Sequence, residues 1–207
     1  SITSSILVKT DAGGIHDEWS FKYSSCILSD CVQTSDGGYM MVGTTTRGAN
    51  TCIIKVNSQG LEKWRDDFDS TIQGQGRSWA FSIENTKDGD CVIGGNSGMV
   101  NYGYLLKVSQ AGQVKLFKTY PNASNIVSIQ PLGDGYFVAG STTVIGSGKS
   151  DFYVAKVNSS GAVVKETAYG TSGANEECTG MNLTNDGGCI MVGGNWVIKT
   201  DENGEVK

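Results

Sequence analysis

His16 is the only histidine among 207 residues, which removes His-based catalytic triads and multi-histidine metal sites. Two-carboxylate hydrolysis stays open, because it needs only a pair of acids facing one another across a pocket. Acids adjacent in sequence occur at Asp17-Glu18, Asp66-Asp67 and Glu176-Glu177, among others. Neighbours in a strand point to opposite faces, so adjacency argues against a shared cleft. Asp36, Asp88, Asp134 and Asp186 recur beside glycines, where turn geometry accounts for them without a calcium ion. Lys9, Lys55, Lys107, Lys156 and Lys199 recur in the same way. A reactive lysine is normally unique and tuned by one special site. A salt bridge or a snorkelling stem in each repeat is the expectation for these five. No catalytic residue, metal or cofactor is therefore assigned.

Six cysteines allow up to three disulfides in 15 connectivities, and no C-x-x-C pair supports zinc or thioredoxin-like chemistry. Cys91 and Cys189 hold the same position in two different repeats. In a four-membered ring they would stand opposite one another, beyond disulfide reach. A bond between adjacent repeats, such as Cys31 with Cys91, and free buried thiols both remain open. Three sequons, at Asn122, Asn158 and Asn182, permit N-glycosylation. The chain opens at Ser1 without a methionine, which fits a processed secreted protein and equally a fragment. Net charge is −5 with a pI near 4.9, opposite in sign to the basic footprint that nucleic acid requires. No stretch approaches the roughly 20 apolar residues of a membrane span.

The elements that must position these groups are set by a repeat. Twenty-nine glycines against two prolines indicate many tight turns between short strands. A turn-plus-strand unit occurs four times, beginning at Ser35-Asp36-Gly37-Gly38, Lys87-Asp88-Gly89-Asp90, Gly133-Asp134-Gly135 and Asn185-Asp186-Gly187-Gly188. Each runs into an aliphatic strand that ends on glycine. A second unit, an aliphatic run then lysine and a Gly-terminated turn, occurs five times, with lysines spaced by 46, 52, 49 and 43 residues. That period is the length of one four-stranded propeller blade. Each repeat parses into strands A (Ile27 to Thr34 in the first), B (Tyr39 to Thr44), C (Cys52 to Val56) and D (Glu62 to Phe68). Aromatics recur late in strand D, at Tyr23, Phe68, Tyr120 and Tyr169, and earlier in it at Trp19 and Trp64. Repeated rings fill a repeated core.

The pattern Thr-x-Asp-Gly-Gly, aliphatic run, glycine, then Lys-x-Asp/Asn-x-x-Gly and Trp resembles a widespread β-propeller repeat family of secreted and surface proteins. The resemblance covers nearly the whole chain. It implies a propeller and an extracellular or cell-surface setting, and carries no catalytic residue across.

The expected architecture is an all-β propeller of about four blades, each of four antiparallel strands, in one domain over 1–207. Its repeats are 26–69, 78–121, 125–170 and 176–207, with residues 5–23 completing the last blade. One strand is then surplus, because Val197-Ile198-Lys199-Thr200-Asp201 duplicates Leu7-Val8-Lys9-Thr10-Asp11. Gly194-Asn195 is a favourable two-residue turn that lets the last C strand pair within its own blade in unchanged register. That strand can lie on a blade edge, add to a neighbouring molecule's sheet, or mark part of a longer array.

In such blades the A–B and C–D turns share one face and the variable B–C and D–A loops the other. Variable loops on a rigid scaffold are where binding residues concentrate. Arg47, Asn50, Arg77, Asn101, Tyr102 and Lys149 supply hydrogen-bonding and stacking groups there. The functional expectation is a non-catalytic extracellular binding or scaffold module for a protein or glycan partner, self-associating through a terminal strand. The alternatives are a carbohydrate-binding lectin and, third, a glycoside hydrolase.

Overall fold

The computed structural model describes residues 4–68, 77–98 and 100–207. It is all-β: seventeen strands, with no helix among the described residues. None of its elements is a helix long and apolar enough to cross a membrane.

Three sheets are complete antiparallel four-stranded meanders. The first joins β3 (Cys26–Gln33), β4 (Tyr39–Thr45), β5 (Thr51–Val56) and β6 (Glu62–Phe68). The second joins β7 (Ser78–Asn85), β8 (Cys91–Ser97), β9 (Tyr102–Val108) and β10 (Val114–Tyr120). The third joins β11 (Asn125–Leu132), β12 (Gly135–Thr142), β13 (Asp151–Val157) and β14 (Val163–Tyr169). A fourth sheet holds β15 (Gly180–Leu183), β16 (Cys189–Gly193) and β17 (Trp196–Lys199), and a two-stranded sheet holds β1 (Ser4–Thr10) and β2 (Asp17–Ser24). Gly37, Gly89, Gly133 and Gly187 take positive φ in the A–B turns, as hairpins of this length require.

Residues 5–23 do not complete the last blade within one sheet. The position beside β16 that β1 was expected to fill is taken by β17, across the two-residue turn Gly194-Asn195. The register there is that of the other blades: Ile190 faces Lys199 as Met40 faces Lys55, Val92 faces Lys107 and Phe137 faces Lys156. A two-residue turn closes at far lower entropic cost than a contact between chain ends. The β1–β2 pair packs instead on the first complete sheet. Ser5 Oγ bridges the strand start, accepting from Leu28 N (3.0 Å) and donating to the Cys26 carbonyl (3.2 Å).

Between the sheets lies the core. In the three complete sheets, apolar residues on both faces of the B and C strands are buried, as expected for strands covered on both sides. The strand-D aromatics join each sheet to the next. Tyr23 and Tyr120 donate their hydroxyls to the carbonyls of Gly60 (2.7 Å) and Gly161 (3.1 Å), and Tyr169 donates to that of Gly204. Trp19 and Trp64 donate Nε1–H to the carbonyls of Ser58 (3.1 Å) and Gln110 (2.9 Å) in the following C–D turns. Burial raises the pKa of Tyr23, Tyr120 and Tyr169, so all three stay neutral donors.

Three of the five recurrent lysines are ion-pair partners of recurrent turn aspartates. Lys55 Nζ, 1% exposed, contacts Asp36 Oδ1 at 2.8 Å, Lys107 contacts Asp88 at 2.5 Å, and Lys199 contacts Asp186 at 2.8 Å. A threonine two residues before each aspartate (Thr34, Thr86, Thr184) donates to the same carboxylate. In the third sheet Leu132 stands in place of that threonine, and Lys156 reaches the Glu202 carbonyl instead. Lysine hydrogen bonds hold Asp36 and Asp186 well below the usual carboxylate range, and Asp88 down to about 2. Lys9, in β1, pairs with Glu18.

One disulfide is present, Cys26 to Cys52, with Cα atoms 6.4 Å apart. Cys31 and Cys91 are not joined to one another; they, Cys178 and Cys189 are free thiols. Burial raises the Cys91 and Cys178 thiols to about 11, so both are inert at neutral pH.

Candidate functional site

The A strands β3, β7, β11 and β15 line one cavity of about 320 Å³. A repeated irregularity shapes it. The pairing of A with B shifts by one residue between Leu28 and Asp30, between Ala80 and Ser82, and between Ile126 and Ser128. Each shift is a β-bulge, which bends a strand and re-aims a side chain. Two of the bulged residues, Phe81 and Val127, line the cavity.

Polar side chains at alternate A-strand positions, Asp30, Ser82 and Glu84, Ser128 and Gln130, and Asn182, share the wall with Met181 and with Ile190 and Val192 of β16. Several of them tie neighbouring sheets together. Asp30 Oδ2 accepts from Ile83 N (2.9 Å) while Oδ1 accepts from Cys31 N (2.8 Å). Gln130 Nε2 donates to Glu84 Oε1 at 2.9 Å, and Ser128 Oγ donates to the Met181 carbonyl at 3.2 Å. Burial, then the nearby Asp30 charge, raises the Glu84 pKa against the opposing pull of Gln130. The cavity thus holds two acids, Asp30 with one backbone N–H on each oxygen and Glu84 with Oε1 bonded to Gln130.

Five of the six loop residues expected to bind gather at neighbouring junctions of the first two complete sheets, and Lys149 stands apart. Arg47 is exposed, its carbonyl accepting from Thr45 Oγ1 at 2.8 Å. Asn50 donates its backbone N–H to the same hydroxyl at 3.0 Å. Arg77 borders residues 69–76, the D–A loop outside the described residues, and its carbonyl accepts from Gly98 N at 2.7 Å. Asn101 has φ +54° and accepts from Asn96 Nδ2 at 3.0 Å, while the half-buried Tyr102 starts β9. Lys149 lies in the β12–β13 loop, its backbone N–H donating to the Ala174 carbonyl at 3.0 Å. None of the six lines the A-strand cavity. Of the sequon asparagines, Asn122 donates to Glu166 Oε1 at 2.7 Å, Asn158 organises its own turn, and the exposed Asn182 faces the cavity.

Sequence reasoning missed Asp30 and Glu84 because they are 54 positions apart (84 − 30) and attention fell on adjacent acids. The signal that finds them is polar residues at alternate positions in successive A strands.

No protein-family model matches the chain, and no curated protein matches it. Among solved structures, an α-L-arabinofuranosidase from Clostridium thermocellum superposes with TM-score 0.55 at 10% identity, over 86% of this chain and 70% of that one. A putative gluconolactonase gives TM-score 0.52 at 11% identity, over 90% and 65%. An exo-β-1,3-galactanase from Clostridium thermocellum gives 0.51 at 12% identity, over 83% and 42%. At these identities the likeness is one of fold, and the fold is propeller-like. The chain spans less than two thirds of the length of the gluconolactonase and the galactanase.

Proposed function

We propose that this chain is a non-catalytic binding module of propeller type, four repeats around a common axis, whose A-strand cavity takes a glycan. The observation that carries this reading is the cavity wall. Hydrogen-bonding groups at Glu84, Gln130, Ser82, Ser128 and Asn182 line it together with the ring of Phe81 and the aliphatic Val127, Ile190 and Val192, and the volume suits one or two sugar residues. Sugars are recognised by such a mixture of planar donors and acceptors beside an apolar ring. Each Asp30 oxygen accepts a backbone N–H, which ties the carboxylate to the sheets and supports a structural part for it. The structural likeness to carbohydrate-active enzymes is in keeping with a sugar ligand. The Cys26–Cys52 disulfide supports an oxidising, extracellular or cell-surface setting, as does the resemblance to secreted propeller repeats.

Calorimetric titration with a panel of neutral oligosaccharides tests this. Glu84→Ala is expected to weaken binding about tenfold or more, the worth of a charge-assisted hydrogen bond. No shortened sugar is expected after prolonged incubation. Absence of any binding would remove the glycan, and release of a shorter sugar would remove the non-catalytic half of the reading.

Self-association is a second reading, favoured by the terminal sheets. Each leaves an apolar face open: Ile6 and Val8 on β1, and Val197 on β17 beside Val192, which also lines the A-strand cavity. Two such faces on one protein favour head-to-tail contact with a second copy. Sedimentation velocity is expected to show mass rising with concentration, and Val197→Lys to abolish the rise; a monomer at every concentration rules this reading out.

A further inference from the structure

Outside that cavity, two acids are buried where the third sheet meets the fourth. Asp151, first residue of β13, is 1% exposed, and Glu176, in the loop before β15, is 4% exposed. One oxygen of each, Asp151 Oδ1 and Glu176 Oε2, is buried without a hydrogen-bond partner. Neither carboxylate has a lysine or arginine partner among the described residues. A buried carboxylate with an empty oxygen is costly unless a cation or a proton answers it.

The surroundings favour a cation. A Cβ placed on Gly148 would lie 2.5 Å from Asp151 Oδ1, 2.8 Å from the Ala174 carbonyl and 2.9 Å from the Thr171 carbonyl. Asp151 Oδ1 and the Thr171 and Ala174 carbonyl oxygens therefore lie close together beside the Gly148 Cα, where glycine leaves room for them. Gly170 also approaches Asp151 Oδ1 so closely that any side chain there would collide with it. Thr171 links the two acids, with its carbonyl beside Asp151 and its hydroxyl donating to Glu176 Oε1 at 2.5 Å. The loops are further joined by Glu176 N donating to the Ser150 carbonyl at 2.7 Å. The Ala174 and Thr171 carbonyls each accept one backbone N–H, which leaves a lone pair on each.

We propose that Asp151 Oδ1, Glu176 Oε2 and the carbonyl oxygens of Thr171 and Ala174 form a calcium site that pins the β12–β13 loop to the loop before β15. Two carboxylates and two carbonyls are a hard, all-oxygen donor set on flexible loops, which suits calcium better than magnesium. Thiol or imidazole donors for zinc are not part of it; no group of three His, Cys, Asp or Glu side chains gathers among the described residues. The repeat sharpens the assignment, because the first and second sheets carry Asn50 and Tyr102, neither of them acidic, where the third carries Asp151.

The test is thermal unfolding of the full chain in EDTA, Ca²⁺ or Mg²⁺, with calorimetric titration of Ca²⁺ into metal-stripped protein. At a Ca²⁺ concentration about 100 times Kd, Tm is expected to rise by about 5–10 °C over EDTA, and by less in Mg²⁺. Asp151→Asn and Glu176→Gln are each expected to weaken Ca²⁺ binding about tenfold or more. Asp151 Oδ2 accepts from Ser147 N and Gly148 N, and Glu176 Oε1 from the Thr171 hydroxyl, bonds that an amide oxygen can keep. The Tm of both variants in EDTA should therefore equal or exceed that of the parent, each removing a buried charge without a cationic partner. Equal Tm in Ca²⁺ and EDTA with no heat of titration overturns the proposal, as does full retention of the shift in both variants. Were one variant to fail to fold, the titration of the parent chain would still decide.

Discussion

Asp36→Ala is expected to destabilise the protein by about 3–5 kcal/mol, read as a lowered urea midpoint at unchanged slope. The cost comes from what the substitution leaves behind. Lys55 Nζ is buried to 1% exposure, and its remaining contacts are Thr34 Oγ1 at 2.7 Å and the Val56 carbonyl at 3.2 Å, neither of them charged. An ammonium group so placed has no anion to answer it. The double variant Asp36→Ala/Lys55→Met should recover most of the loss, because an apolar stem of similar shape then fills the site. Asp134→Ala is the internal control. It alters the equivalent turn of the third sheet, where the aspartate is exposed and has no ion pair among the described residues, so a change within about 0.5 kcal/mol is expected.

The same clamps set the acid limit. Asp36, Asp88 and Asp186 all have folded pKa values below that of an unfolded aspartate, near 3.9. A depressed carboxylate pKa contributes stability that is fully present above the unfolded value. It is lost as pH falls through the folded one, for Asp88 about 2. Stability should therefore fall between about pH 4 and pH 2, and Asp36→Ala should flatten that slope. A parent and variant with parallel pH profiles would dissociate the clamp from the acid response.

Much of this was legible in the sequence, and the rest was hidden for identifiable reasons. Asp-Gly turns and alternating apolar residues announced strands A to D; β3 to β6 lie within a residue of the places expected for them. Repetition of Lys55, Lys107 and Lys199 announced ion pairing, and the aromatic period announced contacts between sheets. The fate of residues 5–23 could not be read, because β1 and β17 carry the same Val/Ile-Lys-Thr-Asp sequence and compete for one edge. Only the turn geometry at Gly194-Asn195 decides between them. Cys26–Cys52 was one of many connectivities and carried no local signal. Asp151 was overlooked as well, since it stands alone in sequence and meets Glu176 only when loops from two sheets fold together.

The larger backbone effect is expected at a glycine late in strand B. Gly43, Gly95, Gly140 and Gly193 hold equivalent positions, and a Cβ on them would lie 2.0, 2.1, 2.0 and 1.9 Å from a carbonyl oxygen of the facing A segment. In the three complete sheets this glycine faces the start of the A-strand bulge: Gly43 pairs with Leu28, Gly95 with Ala80 and Gly140 with Ile126. The bulged backbone leans into the space that a side chain would need. Relief requires moving one strand by about 1 Å against a ladder paired on both sides, which places Gly140→Ala at or beyond the usual range for overpacking, about 3 kcal/mol or more. Gly133→Ala in the same sheet separates this clash from the ordinary cost of replacing glycine. Its φ is +62° and nothing lies within 4 Å of a new Cβ, so only the left-handed backbone penalty of about 1 kcal/mol is expected. The bulge also aims Val127 into the A-strand cavity, so any Gly140→Ala protein that folds should bind sugar more weakly than Gly133→Ala does. Equal stability of the two variants would mean that the bulge can be ironed out at little cost, and the shape of the cavity would then need another cause.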